Sequence, residues 1–204
     1  MTAGTAPATT DRSDFRHILA SGSTVGAAVG FAVIVYLVIS RTVPAGIGQA
    51  LLQSIVVLAA AVAASLLPAQ WTTARSTQGI AAAAAVGLWG TIVFMAIDVM
   101  LLRPLKAYPW TWDAVGGGST WWYLPIWWML GTFVAWMGGM YTAGRAARGN
   151  TSVVSLATPL VAGAVIITAV VALARLGIYL PVAVGAAFLV TLTVLAVVAI
   201  ARKA

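Results

Sequence analysis

The sequence predicts an all-α integral membrane protein, a bundle of about six transmembrane helices. Three observations lead there. The 204 residues are 62% apolar and only 7% charged, with no glutamate, whereas a soluble domain carries about 25% charged residues. The apolar residues form runs of about 20 or more, long enough to cross roughly 30 Å of hydrocarbon at ~1.5 Å per residue. Nearly all the charges, and most of the prolines, fall at the ends of those runs.

Residues 1–17 read as a flexible N-terminal tail. MTAGTAPATTDRSDFR is Thr, Ala and charge without an apolar run, a composition that cannot bury enough surface to order itself. The apolar stretch that follows continues to Ser40. That is too long for the short core of a cleavable signal peptide, so it is expected to be a retained span. Residues 18–204 then form a single transmembrane domain with spans at 20–40, 48–68, 78–102, 121–143, 153–174 and 179–201. Arg41 with Pro44 ends the first, Pro68 through Arg75 the second, and Arg103-Pro104 the third. Arg145 and Arg148 close the fourth, while Arg175, Gly177 and Pro181 separate the last two.

Six spans put both termini on one side. Arg12, Arg16, Arg75, Arg145, Arg148, Arg202 and Lys203 share that side, against Arg41, Arg103, Lys106 and Arg175 on the other. Basic residues accumulate in cytoplasmic loops, so the expectation is a multi-pass cell-membrane protein with both termini cytoplasmic. The Arg-, Ala-, Val- and Gly-rich composition fits a GC-rich bacterial genome, and hence a bacterial inner membrane.

The net charge of +7 does not point to nucleic acid. A nucleic-acid binder clusters its basic residues on one face, whereas these are scattered at span ends, where they set topology and reach toward headgroups. The partners expected are the lipid bilayer and other membrane subunits, or self-association. There is no cysteine, and the lone histidine, His17, precedes the first span. Disulfides, thiolate chemistry and cysteine-ligated clusters are excluded, and no pair of histidines exists to hold haem or copper. No cofactor and no metal are expected.

Small residues recur at i, i+4, i+8: Gly22, Gly26 and Gly30 in the first span, Gly79, Ala83 and Gly87 in the third, Gly131, Ala135 and Gly139 in the fourth. Such stripes let two backbones approach closely. Packing within this one bundle is the simple reading, and a docking stripe for a helix of another subunit the sharper one.

Asp98 is the candidate ion or proton site. A carboxylate in a span is costly, about 2.5–3.5 kcal/mol at the centre, and marks function more often than chance. It lies only five residues before Arg103, however, about one turn from the interface. Five α-helical residues turn about 140° beyond a full circle, so Arg103 is not its expected partner. The simple alternative is a carboxylate bonded to a neighbouring helix or a headgroup.

Seven of the nine tryptophans lie at or after Trp110. Trp110, Trp112, Trp121, Trp122 and Tyr123 suit an interfacial belt. Trp127 and Trp128 sit roughly 9–10 Å further along the helix than Trp121, and Trp136 is deeper still. Trp121, Trp122, Trp127, Trp128 and Trp136 are therefore candidate partner or lipid contacts. Adjacent rings point in different directions and cannot all line one pocket. Pro125 and Pro159 fall early in their helices, where a missing N–H is tolerated. Gly116, Gly117 and Gly118 lack the following GK[ST] of a phosphate loop, and Asp113 reads as a solvated loop charge.

No enzymatic constellation exists, because His17 falls on the opposite side of the membrane from Asp98 and Asp113. The function expected is a non-catalytic accessory or scaffolding subunit of a larger membrane complex. The alternative is a small proton- or cation-coupled transporter or channel using Asp98. It requires an aqueous path to that carboxylate, with Thr91 among the lining residues.

Overall fold

A computed structural model of the chain describes residues 14–105 and 123–202. Residues 1–13, Lys106, Trp110, Trp112, Asp113, Gly116, Gly117, Gly118, Trp121, Trp122 and Lys203 lie outside the described residues, so the expectations placed on them are not addressed. Among the described residues the fold is all-helical, with six long helices and no strand. They are α1 (Phe15–Thr42), α2 (Ile47–Trp71), α3 (Thr77–Ile97), α4 (Tyr123–Ala146), α5 (Val153–Leu173) and α6 (Leu180–Ala201). A single π-helical turn, Asp98–Leu102, extends α3.

Five of these segments, α1, α2, α3 with its π turn, α5 and α6, are long and apolar enough to cross a membrane. The exception is α4. It has 24 residues, but its tryptophans, glycines and Tyr141 dilute its apolar character. It nevertheless packs antiparallel along α3, with Gly131 beside Thr91, Gly87 facing Ala135, and Gly139 against Ile80 and Ala83.

Helix ends differ from the sequence expectation where local hydrogen bonds extend them. α1 begins at Phe15, so Phe15, Arg16 and His17 are helical and not part of a tail. His17 Nε2 donates to the Trp71 carbonyl oxygen at 3.0 Å, which ties the start of α1 to the end of α2. α2 runs through Pro68 to Trp71. Proline removes only its own N–H, and the turn beyond it stays helical, with the Thr72 N–H and hydroxyl both donating to the Pro68 carbonyl at 3.1 and 2.8 Å.

α3 is the hub of one half of the bundle. Gly22, Gly26 and Gly30 of α1 face it: a Cβ on Gly22 would lie 2.7 Å from the Trp89 ring and 2.9 Å from the Val86 carbonyl oxygen, and one on Gly26 would collide with the Gly90 carbonyl. The Trp89 indole also donates to Ser23 Oγ at 3.0 Å. On its other side α3 meets α4 through Ala83, Gly87, Gly131, Ala135 and Gly139. Gly79 is different. It faces the preceding turn, where a Cβ would lie 2.9 Å from the Thr73 carbonyl oxygen and 3.0 Å from Ala74 Cα. It serves the α2–α3 connection, not a helix–helix contact.

The remaining close contacts join α2 to α4 (Gly138 on the Ser65 carbonyl), α4 to α6 (Gly144 on Ala199) and α5 to α6 (Gly163 on Thr191). Two apolar cores result. The larger draws Leu66, Val134, Tyr141, Leu156, Leu160, Phe188 and Leu192 from α2, α4, α5 and α6. The smaller joins Phe94 and Met95 of α3 to Val29, Val33 and Trp127.

Gly138→Ala places a methyl group on a backbone carbonyl that no side-chain rotation can move, and overpacking of this kind costs about 1–3 kcal/mol. Gly48→Ala meets nothing within 4 Å and gains helix propensity of up to about 1 kcal/mol. Unfolding in mild detergent should therefore show a clear loss for Gly138→Ala and none for Gly48→Ala.

Candidate functional site

The site is built from the point where α3 stops being an α-helix. At Asp98 the hydrogen-bond register changes: the Arg103 N–H donates to the Asp98 carbonyl oxygen at 2.9 Å, an i→i+5 bond. A π turn inserts one extra residue per turn, so residue i+5 comes to lie over residue i. The Arg103 side chain is thereby carried round to Asp98, and its Nε donates to Asp98 Oδ2 at 3.0 Å. The expectation that Arg103 is not the partner of Asp98 is overturned for this reason. It rested on the α-helical turn angle, which does not hold here.

Position near the rim also does not mean exposure. The Asp98 side chain is 1% exposed while that of Arg103 is 31% exposed. The carboxylate is therefore withdrawn from water and held against a guanidinium that still reaches the surface. Its charge is compensated inside the protein, as buried charges generally are.

One helical turn before Asp98, on the same face of α3, stands Phe94. Its ring meets Trp127 with centroids 6.1 Å apart and planes tilted by 58°, within the range of favourable aromatic pairs. Trp127 thus turns inward. Trp128 and Trp136 turn outward and are exposed, together with Ile126 and Met129.

Beside Phe94 and Trp127 lies a half-open cavity of about 400 Å³, lined by residues of α1, α2, α3, α4 and α6. It occupies the space between the two apolar cores. Small residues line much of it: Ala60, Ala61 and Ala64 on α2, Gly87 and Gly90 on α3, Gly131 on α4. Thr91 is its single hydroxyl, and that group donates to the Gly87 carbonyl at 2.9 Å. Apart from the Trp127 indole, the rest of the lining is hydrocarbon. Compared with protein-family models, with curated proteins and with solved structures, the chain has no significant match.

A second polar assembly lies at the same end of the bundle as Asp98. Gln53 is buried within α2; its Nε2 donates to Ser40 Oγ at 2.6 Å, and its Oε1 accepts from the Tyr179 hydroxyl. The Tyr36 side chain stands beside that of Tyr179. This cluster ties together α1, α2 and the start of α6. Sequence reasoning passed over it, although a glutamine inside an apolar run was the available signal, since polar side chains within membranes seek partners.

The ion pair makes an asymmetric prediction. Arg103→Met leaves a carboxylate buried without its guanidinium, whereas Asp98→Asn leaves a cation that already reaches the surface. Breaking a buried pair costs about 3–5 kcal/mol, and Arg103→Met should approach that cost. Asp98→Asn should lose less, and Asp98→Asn combined with Arg103→Met should recover much of the loss. Unfolding of the three variants in detergent measures the order.

Proposed function

We propose that this chain is a non-catalytic, polytopic subunit that serves as an accessory or scaffolding element of a larger membrane complex. The observation that carries the proposal is the outer face of α4. Met129, Thr132 and Trp136 stand at i, i+3 and i+7, one stripe of the helix, with Met129 72% and Trp136 43% exposed. Trp136 lies 13 residues beyond the start of α4 at Tyr123, or about 20 Å along its axis. That is past the headgroup region where tryptophan finds a polar partner for its N–H. Aromatic and methionine side chains are enriched at protein–protein interfaces. The inner faces of α3 and α4 are engaged within the bundle, so the partner is another apolar membrane helix on the outside of α4.

On this reading all six helices cross the bilayer, α4 included, because it runs alongside α3 over matching depths. The described basic residues divide as Arg16, Arg75, Arg145, Arg148 and Arg202 at one end and Arg41, Arg103 and Arg175 at the other. The richer end, which holds the start of α1 and the end of α6, is assigned to the cytoplasm, and the membrane to a bacterial inner membrane.

The transporter reading is favoured by one observation, a carboxylate buried in a π turn, a feature found frequently at functional sites. Against it stands the neighbouring cavity, whose lining supplies hydrocarbon where a proton or cation path needs water and oxygen ligands. The Arg103 guanidinium also occupies the position that a cation would take beside Oδ2.

Two measurements bear on these proposals. Purification from the native membrane in a gentle detergent should retain a stoichiometric partner, and Met129→Ala with Trp136→Ala should release it while the helical content is unchanged. A monodisperse single chain would overturn the subunit reading, and a homodimer would identify the partner as a second copy. A fluorescent reporter fused after Ala204, active only in the cytoplasm, should light up; a dark but inserted fusion would reverse the orientation.

A further inference from the structure

The cavity between the two cores is too large and too apolar to be left to water. A buried water needs two to four polar partners, and the lining offers only the Thr91 hydroxyl, already bonded to Gly87, and the Trp127 indole. Leaving it unfilled is unfavourable as well, because the lining then forfeits dispersion contacts on its open side. An engineered cavity of roughly 150 Å³ already admits benzene. This one, at about 400 Å³, falls in the size range of small-molecule sites, about 300–1,000 Å³.

Its place in the fold selects the occupant. The lining comes from the middle stretches of α1, α2, α3 and α4, Val25 and Val29, Val57 to Ala64, Gly87 to Phe94 and Trp127 to Val134, together with Gly185 to Leu189 of α6. In a bundle whose helices span the bilayer, that depth is surrounded by acyl chains, and the cavity is half open. Flexible hydrocarbon needs no polar partner and can follow an irregular wall.

We infer that the cavity is a binding site for one acyl chain of a bilayer phospholipid, which completes the core between α2 and the α1–α3–α4 layer. The small residues Ala60 and Ala64 on α2 define its width, and the Phe94–Trp127 pair closes its wall on the side of Asp98. The lipid is a structural component of the bundle, independent of any partner held by the outer face of α4.

The test compares wild type with Ala60→Leu, Ala64→Leu and the double variant, which occupy the cavity from α2. After exhaustive detergent washing, native mass spectrometry should find about one phospholipid per wild-type chain and roughly tenfold less in the double variant, a change that corresponds to weakened affinity. Added dioleoyl phosphatidylglycerol should raise the Tm of washed wild type, because a ligand that binds only the folded state stabilises it. The double variant should begin with a higher Tm than washed wild type and respond little to the lipid. If the double variant fails to fold, the two single variants should show the same order with smaller differences. Equal lipid retention, equal Tm shifts in wild type and variants, or recovery of a non-phospholipid molecule such as a quinone or pigment from the wild-type protein would overturn the assignment.

Discussion

The constraint on which the rest of the structure depends is the close approach of α3 to α1 on one side and α4 on the other. In lipid, burying apolar side chains brings little advantage, because the surrounding tails are equally apolar. Cohesion has to come from dispersion and backbone contacts, and these require short distances. Gly26 lies against the Gly90 carbonyl and Gly87 against the Gly131 carbonyl, an arrangement suited to Cα–H···O contacts, each worth about 0.5–1 kcal/mol. Gly138 repeats it on the Ser65 carbonyl and draws α2 into the same assembly. With these backbones in contact there is no latitude to slide or rotate α3, and the positions of Phe94, Asp98 and Arg103 follow from its placement.

Much of this was legible in the sequence, and the reasons are physical. The bilayer demands long apolar runs with internally satisfied backbones, so the six helices and most of their ends could be read from Arg41, Arg103, Arg145 and Arg175. Spacing alone identified the glycine stripes of α1, α3 and α4. It did not distinguish Gly79, which faces the Thr72–Ala74 turn, from Gly87, which faces α4, because both share the same periodicity. The Asp98–Arg103 pair was hidden for a different reason. Its geometry depends on a change of hydrogen-bond register, and periodic reasoning assumes that the register is constant. The cavity was illegible altogether, being a property of how five helices meet.

The ion pair and the cavity stand within one helical turn of each other and are opposite in character. Around Asp98 the protein withdraws a carboxylate from water and supplies a guanidinium from its own chain, an arrangement in which desolvation and attraction nearly offset one another. Around Thr91 it turns the hydroxyl proton back onto the Gly87 carbonyl. No charged side chain lines the cavity. An interior arranged in this way is better suited to holding hydrocarbon than to passing ions.

The same small side chains produce both the tightest contacts and the largest void. Where two glycine-bearing faces meet, as at Gly87 with Gly131, absent side chains let the backbones close the gap. α2 touches α4 at Ser65 and Gly138, and the cavity begins at the next residue, Ala64, and continues through Ala61 and Ala60 to Val57. Over that stretch the facing backbones do not close, and alanine cannot fill the space between them. Larger residues at Ala60 or Ala64 would fill the void from α2 without touching the glycine contacts that hold α3. A core completed in this way would need no lipid. The placement of alanine along this one wall, opposite Gly87, Gly90 and Gly131, is what gives an acyl chain its room.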